Sequence, residues 1–462
     1  MTTTLIKGGT AVIGQTVSKQ DLLIQGEKII AIGRLNDISA DCVIDAEGLL
    51  VLPGGVDTHV HFNDDFMGTV SVHDYETGSL SAAFGGTTSV IDFSNPAPGA
   101  TLVSAIENKK QEAAGKALID YGVHPVITAP NMAPNMQAGT LADVARVVEA
   151  GSPTIKCYMT YRGEGLLIED PDLRKVQAAL RDAGGMLLVH AEDNDLAEEM
   201  IPQFLNSGRT SPIFHAESKP PIVENTAIEN CIKMVRDVGG RLFIVHLTTK
   251  EGVEMVAHAR AEGLDVLAET CTHYLAFTVD QLAHEDGIKW VCSPPLREKS
   301  HQDKLWQAIN DGRLVQVVSD DASYSWEATQ MGRDRFDLIP NGMPGIGPRF
   351  MWLFSHGVVT GKISLPRFVE LVSTNPAHIF GMTQKGALTP GKDADIVLLD
   401  PKARWTMGQA TSHSSNDWHA YEGATITGKI TKVFSRGELI IDGDECLAKA
   451  GRGRYVHRIL PQ

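Results

Sequence analysis

Through the middle of the chain, short apolar runs alternate with stretches of helical character. Eight runs read as strands: VDTHVHF (56–62), TTSVIDF (87–93), DYGVHPVIT (120–128), TIKCYMTY (154–161), MLLVHA (186–191), LFIVHLT (242–248), DVLAET (265–270) and LVQVVSD (314–320). Segments such as LVSAIENKKQEAAGKA (102–117) and LADVARVVEAG (141–151) read as helices between them. Strand–helix alternation gives βα units and a parallel sheet, and eight units match a closed (β/α)8 barrel. The longer stretches near 62–80, 191–225 and 321–350 are expected as loops over the barrel mouth. The two ends have a different texture. LIKGGTAVIG, QDLLIQG and KIIAIG at the start, and DADIVLLDP and KITKVFSRGELIIDGD near the end, are β-branched runs punctuated by glycine. They predict one small β-domain built from both termini.

Polar residues interrupt the apolar runs at particular places. His59 and His61 stand at i and i+2 near the end of the first run, so both imidazoles lie on one side of a strand. His190, His246 and Asp320 stand at or near the ends of the fifth, sixth and eighth runs, and Lys156 stands inside the fourth. In an α/β barrel the C-terminal strand ends converge on the active site. Neutral imidazoles with a carboxylate suit Zn2+ or a similar divalent ion. Lys156 is the odd member, because a cation repels a metal. It fits if the amine reacts with CO2 to give a carbamate, an anion whose two oxygens can bridge two metals. Set against this, a histidine or lysine on a strand usually has a packing role, and His124 and His273 are read that way. The constellation carries the reading; no single residue does.

Length and charge bound the alternatives. The 462 residues, 43% hydrophobic and 21% charged, are enough for a large core and more than one unit. A formal net charge of −16 argues against nucleic acid or an anionic membrane as partner. Cys42, Cys157, Cys231, Cys271, Cys292 and Cys446 are scattered without a Cys-x-x-Cys pair, so no disulfide framework is expected and a reducing cytoplasm fits. The N-terminal MTTTLIKGGTAVIG does not read as a signal peptide, and no apolar stretch reads as a membrane span.

The chain resembles the amidohydrolase superfamily, and within it the dihydropyrimidinase/hydantoinase family. The resemblance rests on GGVDTHVHF, IKCYMTYRGEG, LLVHAEDND, IVHLTTKEGVEMV, CSPPLR, LIPNGMPGI, STNPAHIFG and GALTPGKDADIVLLDP, in that order along nearly the whole chain. It implies a TIM barrel over 54–388, beside a β-sandwich formed by 1–53 and 389–462. It implies two divalent ions, usually zinc: one on His59, His61 and Asp320, the other on His190 and His246. An N6-carboxylated Lys156 and a hydroxide would bridge them. Matching motif to motif makes Tyr161 the hydrogen-bond donor to the developing oxyanion, and Ser293 and Asn341 the residues that orient the ring. Asp320 would also be catalytic, moving a proton from the hydroxide to the leaving nitrogen. The plainer readings are packing for Tyr161, a helix cap for Ser293 and an Asn-Gly turn for Asn341. The implied reaction is hydrolysis of a small cyclic amide to an N-carbamoyl amino acid by a homo-oligomer, tetramer or dimer.

Three departures bear on the substrate. The last strand continues Ser319-Asp320-Asp321-Ala322 where the family usually has Thr-Asp-His-Cys, so Asp321 offers a second ligand assignment. The loop HFNDDFMGT is more polar than in most hydantoinases, which fits a more polar substrate or a solvated loop. Its HFN is similar to allantoinases, while Asn63 stands where dihydroorotases carry a substrate-binding arginine. The stretch SYSWEATQMGRDRFDL after Ala322 does not continue in the usual way. The competing readings are allantoinase or another cyclic amidohydrolase, and a non-catalytic scaffold of the same fold. Six intact ligand positions speak against the scaffold, and Tyr161 with NGMPGI speaks for the hydantoinase branch over allantoinase.

Overall fold

A computed structural model describes residues 2–462. Eight parallel strands form the barrel: Gly55–Val60, Thr87–Ser94, Asp120–Pro125, Thr154–Tyr158, Met186–His190, Arg241–Ile244, Val266–Ala268 continued by Thr270–Cys271, and Val317–Val318. Each falls on one of the eight apolar runs read from the sequence. Backbone bridges join the separate ladders into a ring, with Val126 beside Lys156 between strands three and four and Val60 beside Asp321 between strands one and eight. Helices such as Leu102–Ala113, Gln137–Glu149, Asp170–Ala183 and Lys250–Ala261 return the chain along the outside. Their starts follow local chemistry. Asp74 accepts from the N–H groups of Glu76 and Thr77 to begin the first helix, Tyr75–Phe84, and Thr101 and Thr249 cap two others.

Strands one and eight are locked by a buried ion pair. The Arg349 guanidinium lies 3.1 Å from the Asp57 carboxylate, and both side chains are fully buried. Arg349 also donates to the carbonyls of Val56 and Val317, while Asp57 accepts from the Ser319 N–H. A buried charge is tolerated when its partners satisfy it in this way.

The termini share one nine-stranded sheet. Leu50–Pro53 pairs antiparallel with Ile396–Met407, which joins the N-terminal strands to the C-terminal ones. Ile6, Leu22, Ile29, Val51, Ile396, Leu398 and Phe434 form a core of its own. Lys385 ties this domain to the barrel. Its ammonium lies 2.5 Å from Asp120 at the start of strand three, 3.0 Å from Asp393 and 2.9 Å from Asp395. Burial opposes the charge on Lys385, but the three aspartates outweigh it and raise its pKa. Among the described residues no helix is long and apolar enough to cross a membrane, and all six cysteines are free thiols.

Replacing Lys385 with methionine leaves buried Asp120 and Asp395 short of positive charge. It should destabilise the fold by about 3–5 kcal/mol, read as a lower urea midpoint. Lys19→Ala, at an exposed pair with Glu47, should leave the midpoint nearly unchanged.

Candidate metal centre

The strand ends bring the six sequence-selected residues together. His61, Lys156, His190, His246 and Asp320 line one cavity at the C-terminal mouth of the barrel, and His59 reaches it through Asp320. The backbone is bent to achieve this. Six described residues other than glycine have positive φ, and three of them are Tyr161, His246 and Asp320, with φ of 64°, 39° and 49°. Asn63 and Met67 in the mouth loop are two more. Such conformations cost on the order of 1–3 kcal/mol each and concentrate at functional sites.

One half of the site is a histidine–carboxylate group. His59 Nε2 lies 3.1 Å from Asp320 Oδ1, and His61 Nε2 lies 3.5 Å from the same oxygen. The opposite ring nitrogens are held by other carboxylates: His59 Nδ1 by Glu269 at 2.7 Å and His61 Nδ1 by Asp64 at 3.0 Å. Glu269 is fixed in turn by Gln316, and Asp64 by Asn95. Ligating imidazoles typically have their second nitrogen engaged this way, which sets the tautomer and aims the lone pair inward. Burial disfavours charge on His61, but hydrogen bonds to Asp320 and Asp64 prevail and raise it to about 9. Burial likewise opposes ionisation of Asp320, and the His59 and His61 contacts outweigh it, holding the carboxyl well below the usual range.

The other half is Lys156, His190 and His246. Burial lowers His190 to about 4 and takes His246 well below its ordinary value, so both rings are neutral lone-pair donors. Their centroids are 4.4 Å apart, and Glu192 holds His190 Nε2 at 2.8 Å. Lys156 is fully buried, and its Nζ has no hydrogen-bond partner among the described residues. It lies 4.7 Å from the ring centres of Phe93 and Tyr158, and burial lowers it to about 8. His59 Nε2 and His246 Nδ1 are also buried without hydrogen-bond partners among the described residues. Orphaned nitrogens this deep are costly unless something binds them. The donor set therefore fits divalent metal ions, provided the lysine is converted to an anion.

Tyr161, Ser293 and Asn341 line the same cavity. Asn341 Nδ2 donates to Tyr161 Oη at 3.2 Å and to Ser293 Oγ at 3.4 Å. Asn341 sits where it does because glycines let its segment lie on the eighth strand. A Cβ on Gly342 would come within 2.2 Å of the Ala322 carbonyl, and one on Gly345 within 2.7 Å of that of Ser319.

The departures from the family pattern have physical explanations here. Asp321 faces away from the cavity. It accepts from His73 Nδ1 at 2.6 Å and from the N–H groups of Gly345 and Ile346, so it anchors the loop carrying Asn341. Asp64 is buried at the cavity, where it holds His61, while Asp65 beside it is exposed. Tyr324, from the unusual stretch, lines the cavity and packs with Ala322. His124 is satisfied by Thr154 and the Thr58 carbonyl, as a structural histidine should be. His273 is not: it lines the cavity, and its nitrogen groups with Cys271 and Asp320 within 4.8 Å. The sequence reading also missed Glu269, Glu192 and Lys219. Glu269, a charge at the end of DVLAET, carried the same signal as His190 in MLLVHA.

Comparison with known proteins agrees with this geometry. The amidohydrolase family model matches residues 50–440. The chain is 39% identical over 461 residues to the D-hydantoinase of Geobacillus stearothermophilus, covering 99% of this chain and 96% of that one. It is 38% identical over 458 residues to the D-hydantoinase of Ralstonia pickettii, covering 98% of each. Among solved structures, the dihydropyrimidinase of Brevibacillus agri NCHU1002 superposes with a TM-score of 0.96 at 38% identity, covering 100% of both chains. The L-hydantoinase of Arthrobacter aurescens gives 0.92 at 28% identity, covering 99% of this chain and 100% of that one. With the family model spanning most of its length, the chain belongs to the amidohydrolase family.

Proposed function

We propose that this protein hydrolyses a cyclic amide, a hydantoin, dihydropyrimidine or related cyclic ureide or imide, to an N-carbamoyl amino acid. The observation that carries the reading is Lys156, a buried primary amine without a hydrogen-bond partner among the described residues, in one cavity with His61, His190, His246 and Asp320. His59, His61 and Asp320 would hold one divalent ion and His190 and His246 the other, zinc being the metal that the nitrogen-rich donors suit. Lys156 would join both as a carbamate, formed when the neutral amine adds to CO2 and releases one proton. When bound, the ions would make hydroxide available near neutral pH and polarise the scissile carbonyl.

The remaining steps belong to the chain. Asp320 would accept the proton of the attacking water and deliver it to the ring nitrogen as the C–N bond breaks. Without that proton the leaving group would be an amide anion. Burial pushes the Tyr161 phenol well above its ordinary value, so it stays protonated and can donate to the developing oxyanion. Ser293 and Asn341, joined to Tyr161 by hydrogen bonds on the same wall, would orient the ring. Relatives named for hydantoin and for dihydropyrimidine support the substrate class.

A substrate panel tests the reading. The zinc- and bicarbonate-reconstituted enzyme should open hydantoin and dihydrouracil, read by appearance of the N-carbamoyl product. Turnover of allantoin or dihydroorotate alone would remove hydantoin and dihydrouracil as substrates and refute the hydantoinase branch, and turnover of no cyclic amide would refute the reading as a whole. Lys156→Ala should cut activity by more than about a hundredfold and lower bound metal. Acetate or propionate should restore part of both, because a free carboxylate can stand in for the carbamate. Full activity in Lys156→Ala would exclude the bridge.

A further inference from the structure

Lys219 lies immediately beside the wall formed by Tyr161, Ser293 and Asn341. It is buried, its Nζ donates to Ser293 Oγ at 2.7 Å, and it sits 5.4 Å from the centre of the Tyr161 ring. Its place is well fixed. The Arg297 guanidinium donates to the Lys219 carbonyl at 2.5 Å, and Glu192 lies 3.6 Å from the ammonium as counter-charge. The same Glu192 oxygen accepts from His190, so Lys219 links the metal half of the cavity to the Ser293 wall.

The direction of these hydrogen bonds matters. An ammonium has donors only, and an amide NH2 has two. Ser293 Oγ receives from Lys219 at 2.7 Å and from Asn341 at 3.4 Å, so both its lone-pair regions are engaged. Its own hydrogen is then the part left for the cavity. Tyr161 Oη also accepts from Asn341, so its hydrogen is left in the same way. The wall becomes a set of donors facing inward.

Resting on the function proposed above, we propose that Lys219 is a positioning residue that fixes Ser293 as a hydrogen-bond donor. Ser293 then selects rings that present a carbonyl oxygen, and not an N–H, at that position. Lys219 itself touches no reacting atom. Its removal weakens the hold on the ring without altering the proton transfers made by Asp320.

A double-mutant cycle with Ser293 separates this from a structural role. With dihydrouracil as substrate, Lys219→Met should raise KM about tenfold and leave kcat within about twofold, since a hydrogen bond from a charged donor is worth about that factor or more. Lys219→Arg, which keeps charged donors, should stay near wild type. In a Ser293→Ala background Lys219→Met should add nothing further, and bound metal should be unchanged. If Lys219→Met does not fold, Lys219→Gln serves the same cycle. Independent, multiplying effects of the two sites would overturn the proposal. So would failure of Lys219→Arg to keep a low KM, or failure of both neutral variants to fold, since each assigns Lys219 to stability. A wild-type enzyme that opens no cyclic amide overturns the functional reading and this inference together, whereas multiplying effects in an active enzyme overturn this inference alone.

Discussion

An amine buried in the wall of a barrel is the constraint around which the site is arranged. Lys156 Nζ has aromatic faces on two sides and no hydrogen-bond partner among the described residues. Desolvation penalises its charged form, and the neighbouring neutral imidazoles do nothing to relieve it. A chain under selection for stability alone would place leucine or methionine there. The carbamate proposed for Lys156 would invert the problem, since the anion would supply oxygen donors beside those of His190, His246 and Asp320. The same logic covers His246 Nδ1, buried without a hydrogen-bond partner among the described residues, and His59 Nε2, whose polar neighbour is the Asp320 carboxylate.

Everything around that point serves to hold it. The Asp57–Arg349 pair fixes strands one and eight together, so His59, His61 and Asp320 keep their spacing. Glu269, Asp64 and Glu192 grip the outer nitrogens of three histidines. Asp321 pins the segment that carries Asn341. The left-handed backbone at Tyr161, His246 and Asp320 shows that the fold spends stability to aim these three side chains. The barrel supplies rigidity, and the strained strand ends supply the chemistry.

The eight strands were legible because buried parallel strands read as nearly continuous apolar runs. The six ligand-type residues were legible for the same reason, as polar breaks in those runs. The choice between Asp320 and Asp321 was harder, because adjacent aspartates look alike until His73 and the Gly345 N–H are seen to claim one of them. Glu192, Lys219 and Asp64 lie on loops, where a polar residue is unremarkable in sequence and gains meaning only from what folds against it. His124 and His273 read alike in the sequence, but His124 is held within a strand by Thr154 and the Thr58 carbonyl, whereas His273 opens the short helix Thr272–Ala276 and lines the cavity.

Anomalous-scattering crystallography on protein grown with Zn2+ and bicarbonate would read the metal centre and Lys156 together. Two zinc peaks are expected, one bounded by His59, His61 and Asp320 and one by His190 and His246, with continuous density extending from Lys156 Nζ to both. A bare Lys156 amine beside a fully occupied site, or zinc seated on Cys271 and His273 in place of the His59–His61 group, would contradict that arrangement.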